Sequence, residues 1–346
     1  MKYKYSFFND YSEGAHPDIL SALQQTNLSQ ETGYGEDSLS LHAVELLKEK
    51  IGNPNAAVHF VSGGTQANLI VLASMLKPYE AVIAVSTGHI FVHEAGAIEA
   101  TGHKICTVQS DDGKIHPEQI QIVVDQHSDE HMVKPRVVFI SQSTEVGTIY
   151  SKQELQAISD ICKQNNLYLY LDGARLGSGL TSIRGDLTLA DMSSLVDIFY
   201  IGGTKNGALM GEAIIINNDQ LKDNFRYHLK QRGALLAKGR VLGIQFAELF
   251  KENLFFDLAK HANEMAGKLT QGIKEQGFEF LTDSTTNQIF PILPDVMIEK
   301  LKEMYGFYVW SKIDADKSSI RLVTSWATKE EAVTDFLADL KMLATQ

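Results

Sequence analysis

The sequence predicts an α/β protein in which a large, doubly wound and mostly parallel sheet precedes a small α+β unit. Short apolar runs suited to buried strands alternate with helix-length segments between residues 56 and 216. After about residue 245 a long helical connection leads to shorter, mixed elements. We therefore expect a large domain over residues 1–245, with its N-terminal segment over the functional site, and a small C-terminal α+β domain over residues 246–346.

Composition limits the class of protein. The 346 residues are 44% hydrophobic, which allows a substantial core, and 31 basic against 43 acidic side chains give a formal net charge of −12. This charge disfavours nucleic acid and anionic membranes as partners. Because Cys106 and Cys162 form no CxxC pair and neither a signal sequence nor a membrane span is visible, we expect a cytoplasmic protein.

The first turn that is suited to bind a ligand follows a long N-terminal segment of little periodicity. Ser38 is the predicted N-cap of a helix that stops before Gly52, and a strand over residues 56–61 then leads through residues 62–65 to a helix over residues 66–76. Free N–H groups at that helix N-terminus favour an anion such as a phosphate, although an ordinary capped turn explains the pattern as well. Neither GxGxxG nor GxxxxGK[ST] is present, which argues against a dinucleotide or P-loop site.

The alternation continues along the chain. We expect strands over residues 81–85, 104–108, 136–141, 167–171, 198–201, 212–216, 288–293 and 320–324, and helices over residues 93–101, 117–126 and 151–163 and, after the last strand, from a capping box at residues 328–331. In parallel sheets ligands collect at the carboxyl ends of strands. Gly64, Thr65, Glu145, Asp172 and Lys205 all fall at such ends, which predicts a common site.

Lys205 is the strongest candidate for covalent chemistry. It follows an apolar run and two glycines, and an ammonium buried at a strand exit has a lowered pKa and condenses with carbonyls. A solvated loop lysine is the alternative. A Schiff-base lysine, a phosphate-binding turn and an aspartate at three strand ends are what pyridoxal phosphate requires. In this hypothesis Gly64 and Thr65 hold the phosphate and Asp172 keeps the pyridine nitrogen protonated.

Other polar residues are weaker candidates when taken singly. His89 could stack on a flat cofactor ring, although a loop histidine is more often structural. His89, His93 and Glu94 are metal-ligand types, but a preceding glycine and the lack of another ligand nearby argue against zinc, so we expect no metal. Arg175 and Arg321 are candidates for a bidentate carboxylate clamp.

Assembled, these motifs resemble the low-specificity L-threonine aldolases, a family of fold-type I pyridoxal phosphate enzymes. The resemblance covers nearly the whole chain. It rests on Asn9-Asp10, Gly33-Tyr34-Gly35-Glu36-Asp37, Gly64-Thr65-Gln66-Ala67-Asn68, His89 with Glu94-Ala95-Gly96, Asp172-Gly173-Ala174-Arg175, Thr204-Lys205 and Arg321-Leu322-Val323-Thr324.

The resemblance implies a role for each candidate. The residues implied at the cofactor are Lys205 as its covalent anchor, His89 on its ring, Asp172 at its nitrogen, Gly64, Thr65 and Gln66 at its phosphate, and Arg175 nearby. The residues implied at the substrate are Arg175 and Arg321 at the carboxylate, with Asn9 and Tyr34 lining the pocket. The family is typically a homotetramer built from dimers, and Lys238 is implied to reach a partner's phosphate.

Two positions depart from the family pattern. Asn9 stands where well-known relatives have a serine, and Glu145 stands where they often have a histidine associated with the β-hydroxyl group. Glu145 is therefore the candidate acceptor for the hydroxyl proton, and the threo or erythro preference stays open.

The implied activity is a retro-aldol reaction. We expect L-threonine or L-allo-threonine to be cleaved to glycine and acetaldehyde. Another enzyme of the same superfamily, a β-eliminating lyase or an aminotransferase, is the alternative. An NAD-dependent enzyme or a non-catalytic nucleotide-binding protein is a remote one.

Overall fold

A computed structural model describes residues 3–345. Its strands are β1 (Tyr5–Ser6), β2 (Ala57–Val61), β3 (Glu80–Val85), β4 (Lys104–Val108), β5 (Lys134–Ser141), β6 (Tyr168–Asp172), β7 (Ile198–Gly202), β8 (Glu212–Ile216), β9 (Gln288–Ile289), β10 (Ile292–Pro294), β11 (Tyr305–Gly306), β12 (Tyr308–Lys312) and β13 (Lys317–Val323). Its helices are α1 (Pro17–Gln25), α2 (Ser38–Ile51), α3 (Gly64–Met75), α4 (His89–Val92), α5 (Pro117–Gln126), α6 (Lys152–Gln164), α7 (Leu176–Leu180), α8 (Leu189–Leu195), α9 (Phe225–Gln231), α10 (Arg240–Phe250), α11 (Leu254–Glu275), α12 (Asp295–Met304) and α13 (Glu330–Ala344).

Seven strands form the large sheet, in the order β2-β8-β7-β6-β5-β3-β4. Strands β3 to β7 pair in parallel, whereas β8 runs antiparallel to both β7 and β2. The carboxyl ends of β2, β5, β6 and β7 and the first residue of β8 therefore meet at one edge. The predicted α/β class with a mostly parallel sheet is confirmed.

Both faces of this sheet are buried. Successive residues of β8 alternate between two hydrophobic clusters, with Ala213 and Ile215 in one and Ile214 and Ile216 in the other. Strands covered on both faces consist of nearly continuous apolar residues, which explains why these strands were visible in the sequence as apolar runs.

The small unit is built on an antiparallel sheet. Strand β13 pairs with β10, β12 and β9, and helices α11, α12 and α13 pack beside it over a third hydrophobic cluster. The N-terminal segment belongs to this region as well, because β1 pairs with β11 and the Val323 amide donates to the Phe7 carbonyl at 3.0 Å. The division near residue 245 stays a prediction, and that residue lies inside α10.

Several local predictions are wrong. Asp37, and not Ser38, caps α2, because its carboxylate accepts from the Ser40 amide at 2.7 Å. The capping box at residues 328–331 is absent from α13, since the Thr328 hydroxyl accepts from the Ser325 amide instead. The helix expected over residues 93–101 is replaced by α4 and a short 3-10 turn at Glu99–Thr101, with Ala95 and Gly96 at positive φ between them.

Within residues 3–345 no helix is both long enough and apolar enough to cross a membrane.

Candidate active site

The strand ends surround a cavity of about 780 Å³ between the large sheet and the small one. Its wall includes eight of the residues to which the resemblance assigns a role, which are Gly64, Thr65, His89, Glu145, Asp172, Arg175, Lys205 and Arg321. These residues thus line one cavity at the carboxyl edge, and their function there stays a prediction.

Lys205 lies just past the carboxyl end of β7 and lines this cavity. The preceding Thr204 closes the turn toward β8, because its hydroxyl accepts from the Gly211 amide at 2.9 Å. Burial, together with the positive charge of Arg175, lowers the pKa of the Lys205 amine, although nearby carboxylates oppose the shift. A lowered pKa increases the fraction of neutral amine, which is the nucleophilic form.

Asp172, the last residue of β6, is held by three donors. Its Oδ1 accepts from the Tyr200 hydroxyl and from the Ala174 amide at 2.9 Å, and its Oδ2 accepts from Asn68 Nδ2 at 3.0 Å. A carboxylate offers about four acceptor positions, so one remains for a group inside the cavity. The Asp172 side chain is buried and lines the cavity at the edge of the sheet.

His89 is oriented by a buried carboxylate. Its Nδ1 lies 2.8 Å from Glu94 Oε1, which also accepts from Asn68 Nδ2 at 2.6 Å. Burial lowers the pKa of His89, but the hydrogen bond to Glu94 and the charge of Asp172 outweigh it and raise the pKa overall. Asn68 therefore connects the His89 pair to Asp172.

Glu145 stands between β5 and His89. Its Oε1 accepts from the Ser141 hydroxyl at 2.7 Å and from the His89 amide at 3.1 Å, whereas its Oε2 is buried without a hydrogen-bond partner in the described part of the chain. Burial raises the pKa of Glu145, and the charge of Asp172 adds to the effect. The unpaired oxygen is suited to exchange a proton with a bound molecule.

Arg175 forms a two-point ion pair that the sequence did not reveal. Its Nε and Nη2 donate to Asp10 at 2.7 and 3.0 Å, and Asn287 Nδ2 donates to the same carboxylate at 2.8 Å. Asp10 is only 1% exposed. Burial by itself would raise the pKa of Asp10, but the charges of Arg175 and Lys205 hold the pKa below its usual value.

The turn before α3 presents backbone groups to the cavity. Gly63 is the N-cap of this 12-residue helix, and no side chain caps it. Ser62, Gly63, Gly64 and Thr65 line the cavity. A Cβ atom on Gly63 would meet nothing within 4 Å, so the space beside the N-cap of this helix is open.

Four predicted residues do not line this cavity within one chain. Gln66 binds the Ser62 amide and hydroxyl at 3.1 and 2.9 Å, and Asn9 accepts from the Tyr11 amide at 3.0 Å, so both organise loops beside the cavity. Tyr34 and Lys238 lie elsewhere, in two loops joined by the Tyr34 amide and the Ala237 carbonyl at 3.2 Å.

Sequence reasoning missed several polar residues here. Asp10 and Asn68 belong to motifs that resemble the family, yet the sequence alone assigned them no role. Glu212 opens a fully buried strand, and burial raises its pKa to about 7. The signal for Asn68 and Glu212 was a polar residue inside an otherwise apolar run, because buried polar groups require partners.

A second cavity, of about 640 Å³, lies beside α11. It is lined by Ile183, Asn263 and Gly267 among others and contains none of the strand-end residues. The chemistry of this protein is therefore better sought at the sheet edge.

Comparisons with known proteins identify the family to which this chain belongs. The family model of the beta-eliminating lyases matches residues 12–295. A low specificity L-threonine aldolase of Pseudomonas sp. (strain NCIMB 10558) is 32% identical to the chain, over 97% of this chain and 96% of that protein.

Solved structures with a similar fold include a member of the same type of enzyme. A threonine aldolase of Leishmania major superposes with a TM-score of 0.97 at 50% identity, covering 98% of this chain and 99% of that one. A serine palmitoyltransferase from S. paucimobilis with bound PLP–myriocin has a TM-score of 0.73 at 14% identity, covering 99% and 87%, and that likeness concerns the fold alone.

Proposed function

The chain belongs to the beta-eliminating lyase family, and from this premise we propose that it is a carbon–carbon lyase of the low-specificity L-threonine aldolase type. It cleaves L-threonine, L-allo-threonine and related β-hydroxy-α-amino acids to glycine and an aldehyde. The observation that supports this most directly is one cavity containing a lysine of lowered pKa, a strand-end aspartate and two arginines.

The cavity fits pyridoxal phosphate. The Asp172 carboxylate keeps one acceptor position free, the uncapped start of α3 offers N–H groups to an anion, and the Lys205 amine borders the same space. Lys205 would bind the cofactor covalently, Asp172 would bind its ring nitrogen, and His89 would stack on its ring. Gly64, Thr65 and Gln66 would hold its phosphate, Gln66 through the Ser62 turn.

When bound, pyridoxal phosphate supplies a conjugated ring that accepts the electron pair released from the Cα–Cβ bond. The protein's own task is to orient the substrate. Arg321 and Arg175 bind the α-carboxylate, so that the Cα–Cβ bond is presented in a fixed direction. Arg175 does so with its remaining N–H groups, chiefly those of Nη1, since Asp10 accepts from Nε and from one hydrogen of Nη2.

Glu145 accepts the hydroxyl proton. Its Oε2 has no partner within residues 3–345, while Oε1 is fixed by Ser141 and the His89 amide. A carboxyl group with a raised pKa is a better base than an ordinary one once it is ionised. His89, which lines the same cavity as Glu145, is kept in place by Glu94.

Tyr34 and Lys238 act on a neighbouring protomer in this proposal, because both are exposed and lie outside the cavity of their own chain. A homotetramer assembled from dimers would bring them to a partner's cavity, whereas Asn9 organises the N-terminal loop beside the cavity of its own chain. Mixing Lys205→Ala with Lys238→Ala protomers tests this arrangement. Sites completed in trans recover about a quarter of wild-type activity in a randomly mixed dimer, whereas sites completed in cis recover none.

Product analysis tests the reaction itself. Purified protein with pyridoxal phosphate is incubated with the four threonine stereoisomers, with serine, and with alanine plus a keto acid. Glycine and acetaldehyde from the L-isomers support the proposal. Pyruvate from serine, or amino transfer to the keto acid, without any glycine from threonine contradicts it and indicates the β-eliminating lyase or aminotransferase alternative.

A further inference from the structure

The two arginines of the cavity have different neighbours. Arg175 is neutralised by Asp10, with two donors engaged. Arg321 forms no ion pair within 4 Å in the described chain, and its guanidinium carbon instead lies 5.2 Å from the ring centroids of both Tyr308 and Trp310. Aromatic rings thus take the place of a carboxylate beside Arg321.

Strand pairing explains how two rings reach one guanidinium. Tyr308 is the direct cross-strand partner of Arg321 in the antiparallel β12–β13 pair. The register then shifts between Val309 and Ser311, which makes Trp310 an extra residue in β12. Such a bulge redirects a side chain, and Tyr308, Val309 and Trp310 all line the cavity as a result.

Packing fixes both rings. Tyr308 lies edge-on to Phe8 at a centroid distance of 4.8 Å, and Trp310 lies edge-on to Phe290 at 5.2 Å. Arg321 itself donates from Nη2 to the Phe8 carbonyl at 3.3 Å. Tyr308 and the guanidinium therefore share Phe8 of the N-terminal segment as a support, whereas Trp310 is supported by Phe290.

A ring face and a carboxylate stabilise an arginine in different ways. A carboxylate occupies the N–H groups in the guanidinium plane, whereas a ring attracts the cation and leaves those donors free. Arg321 Nε is buried and has no hydrogen-bond partner within residues 3–345. This arrangement suits a guanidinium that must be held in position and still bind a carboxylate from solution.

We propose that Tyr308 and Trp310 are positioning residues that orient Arg321 toward the α-carboxylate of the substrate, an inference that rests on the proposed function and deepens it. Because Arg321 and Arg175 themselves remain, the two rings contribute mainly to affinity for the carboxylate and only slightly to bond cleavage. Removing a ring therefore weakens binding of every ligand that has this carboxylate and leaves ligands without it almost unchanged.

The test compares glycine with glycinamide, which lacks the carboxylate. Each ligand is titrated into the pyridoxal phosphate-loaded enzyme while the visible absorption of the cofactor is followed. The variants are Trp310→Leu, Trp310→Phe and Tyr308→Leu. Tyr168→Leu is the matched control, because it removes an arginine–ring contact of the same kind, Arg136 at 4.1 Å, outside the cavity.

We expect Trp310→Leu to raise the Kd of glycine about tenfold, and Tyr308→Leu by a similar factor, with the Kd of glycinamide changed less than about twofold. Trp310→Phe keeps a ring and should restore most of the glycine affinity. KM for threonine should rise in parallel while kcat stays within about threefold of wild type. Tyr168→Leu should change neither ligand.

Two results would overturn the inference while leaving the proposed function intact. One is an unchanged glycine Kd in both leucine variants. The other is an equal loss of glycine and glycinamide affinity, which indicates general loosening of the site. Wild-type protein that neither binds glycine nor cleaves threonine would instead overturn the proposed function, and this inference with it.

Discussion

The cavity has two walls of different character. On the large-sheet wall, Asp172 is buried and hydrogen-bonded to Asn68, and His89 is hydrogen-bonded to the buried Glu94. On the small-sheet wall, Tyr308 and Val309 are 48% and 43% exposed, and Arg321 keeps a donor without a partner in the described chain. Arg175 on the large-sheet wall is thus held by an ion pair, whereas Arg321 on the small-sheet wall is held mainly by aromatic rings and keeps N–H groups for a ligand.

The difference follows from how each sheet is covered. The strands of the large sheet are buried on both faces, so a charged group at their ends is costly unless it is paired. The antiparallel β12 is an edge strand of the small sheet, so Tyr308 and Val309 stay partly exposed. Substitutions on the large-sheet wall should therefore affect catalysis or stability strongly, and those on the small-sheet wall should affect mainly affinity.

The largest effect is expected for Lys205→Ala. Without the amine no covalent bond to the cofactor forms, and threonine cleavage should fall by at least about a thousandfold. Activity is measured at saturating threonine and pyridoxal phosphate. Lys251→Ala removes a surface lysine paired with Glu248 and serves as the control. Near-normal activity in Lys205→Ala would remove the basis for the assigned chemistry.

Asp10→Asn should cost stability. The substitution leaves Arg175 as a buried and unpaired cation, which should lower the free energy of unfolding by about 3 kcal/mol in chemical denaturation at pH 7. Since the pKa of Asp10 is lowered on folding, its contribution is complete above about pH 3.8 and is lost as the pH falls below that value.

The wild type and Asp10→Asn should therefore converge in stability at strongly acidic pH. Equal stability of the two proteins at pH 7 would show that the ion pair contributes nothing net.

Glu145→Gln should reduce kcat about a hundredfold, because the amide cannot accept the hydroxyl proton. In the wild type, the rate of cleavage should decline as the pH falls through the raised pKa of Glu145. This acidic limb of the pH–rate profile should disappear in Glu145→Gln.

Ser141→Ala gives a second test of the same assignment. It removes a hydrogen bond that lowers the pKa of Glu145, so the limb should move to higher pH.

An acidic limb that stays in place in Glu145→Gln would assign the proton transfer to another group, such as His89.

Arg321→Lys should have the smallest effect of this series, a rise in KM for threonine on the order of tenfold, since a point charge cannot fix the plane of a carboxylate. Steady-state kinetics with L-threonine measures it. An unchanged KM would mean that Arg175 alone binds the carboxylate and that the small-sheet wall has no part in recognition.

The large sheet was largely predictable because its buried strands produce apolar runs. Strands β4 and β8 were predicted with the bounds that the structure has, and the resemblance to the threonine aldolases is confirmed by the comparisons. Helix α1 was missed, since the N-terminal segment has little visible periodicity. Ser38 was preferred to Asp37 as a cap because both residue types cap well.

The site was predictable where a residue follows a strand. Lys205 and Asp172 were found in this way, and their roles stay predictions. The Asp10–Arg175 pair and the rings beside Arg321 were not found, because they join residues 165 positions apart in one case and depend on an extra residue in β12 in the other. Contacts of this kind are set by tertiary packing, which a local pattern does not encode.

The central claim is that the Lys205 amine binds the aldehyde of pyridoxal phosphate, and borohydride reduction tests it most directly. The loaded protein is reduced, digested and mapped by mass spectrometry. We predict that the phosphopyridoxyl group is found on Lys205 and that the visible absorption band is lost on reduction. A label on Lys238 or another lysine, or no label on a protein that still cleaves threonine, would contradict the account.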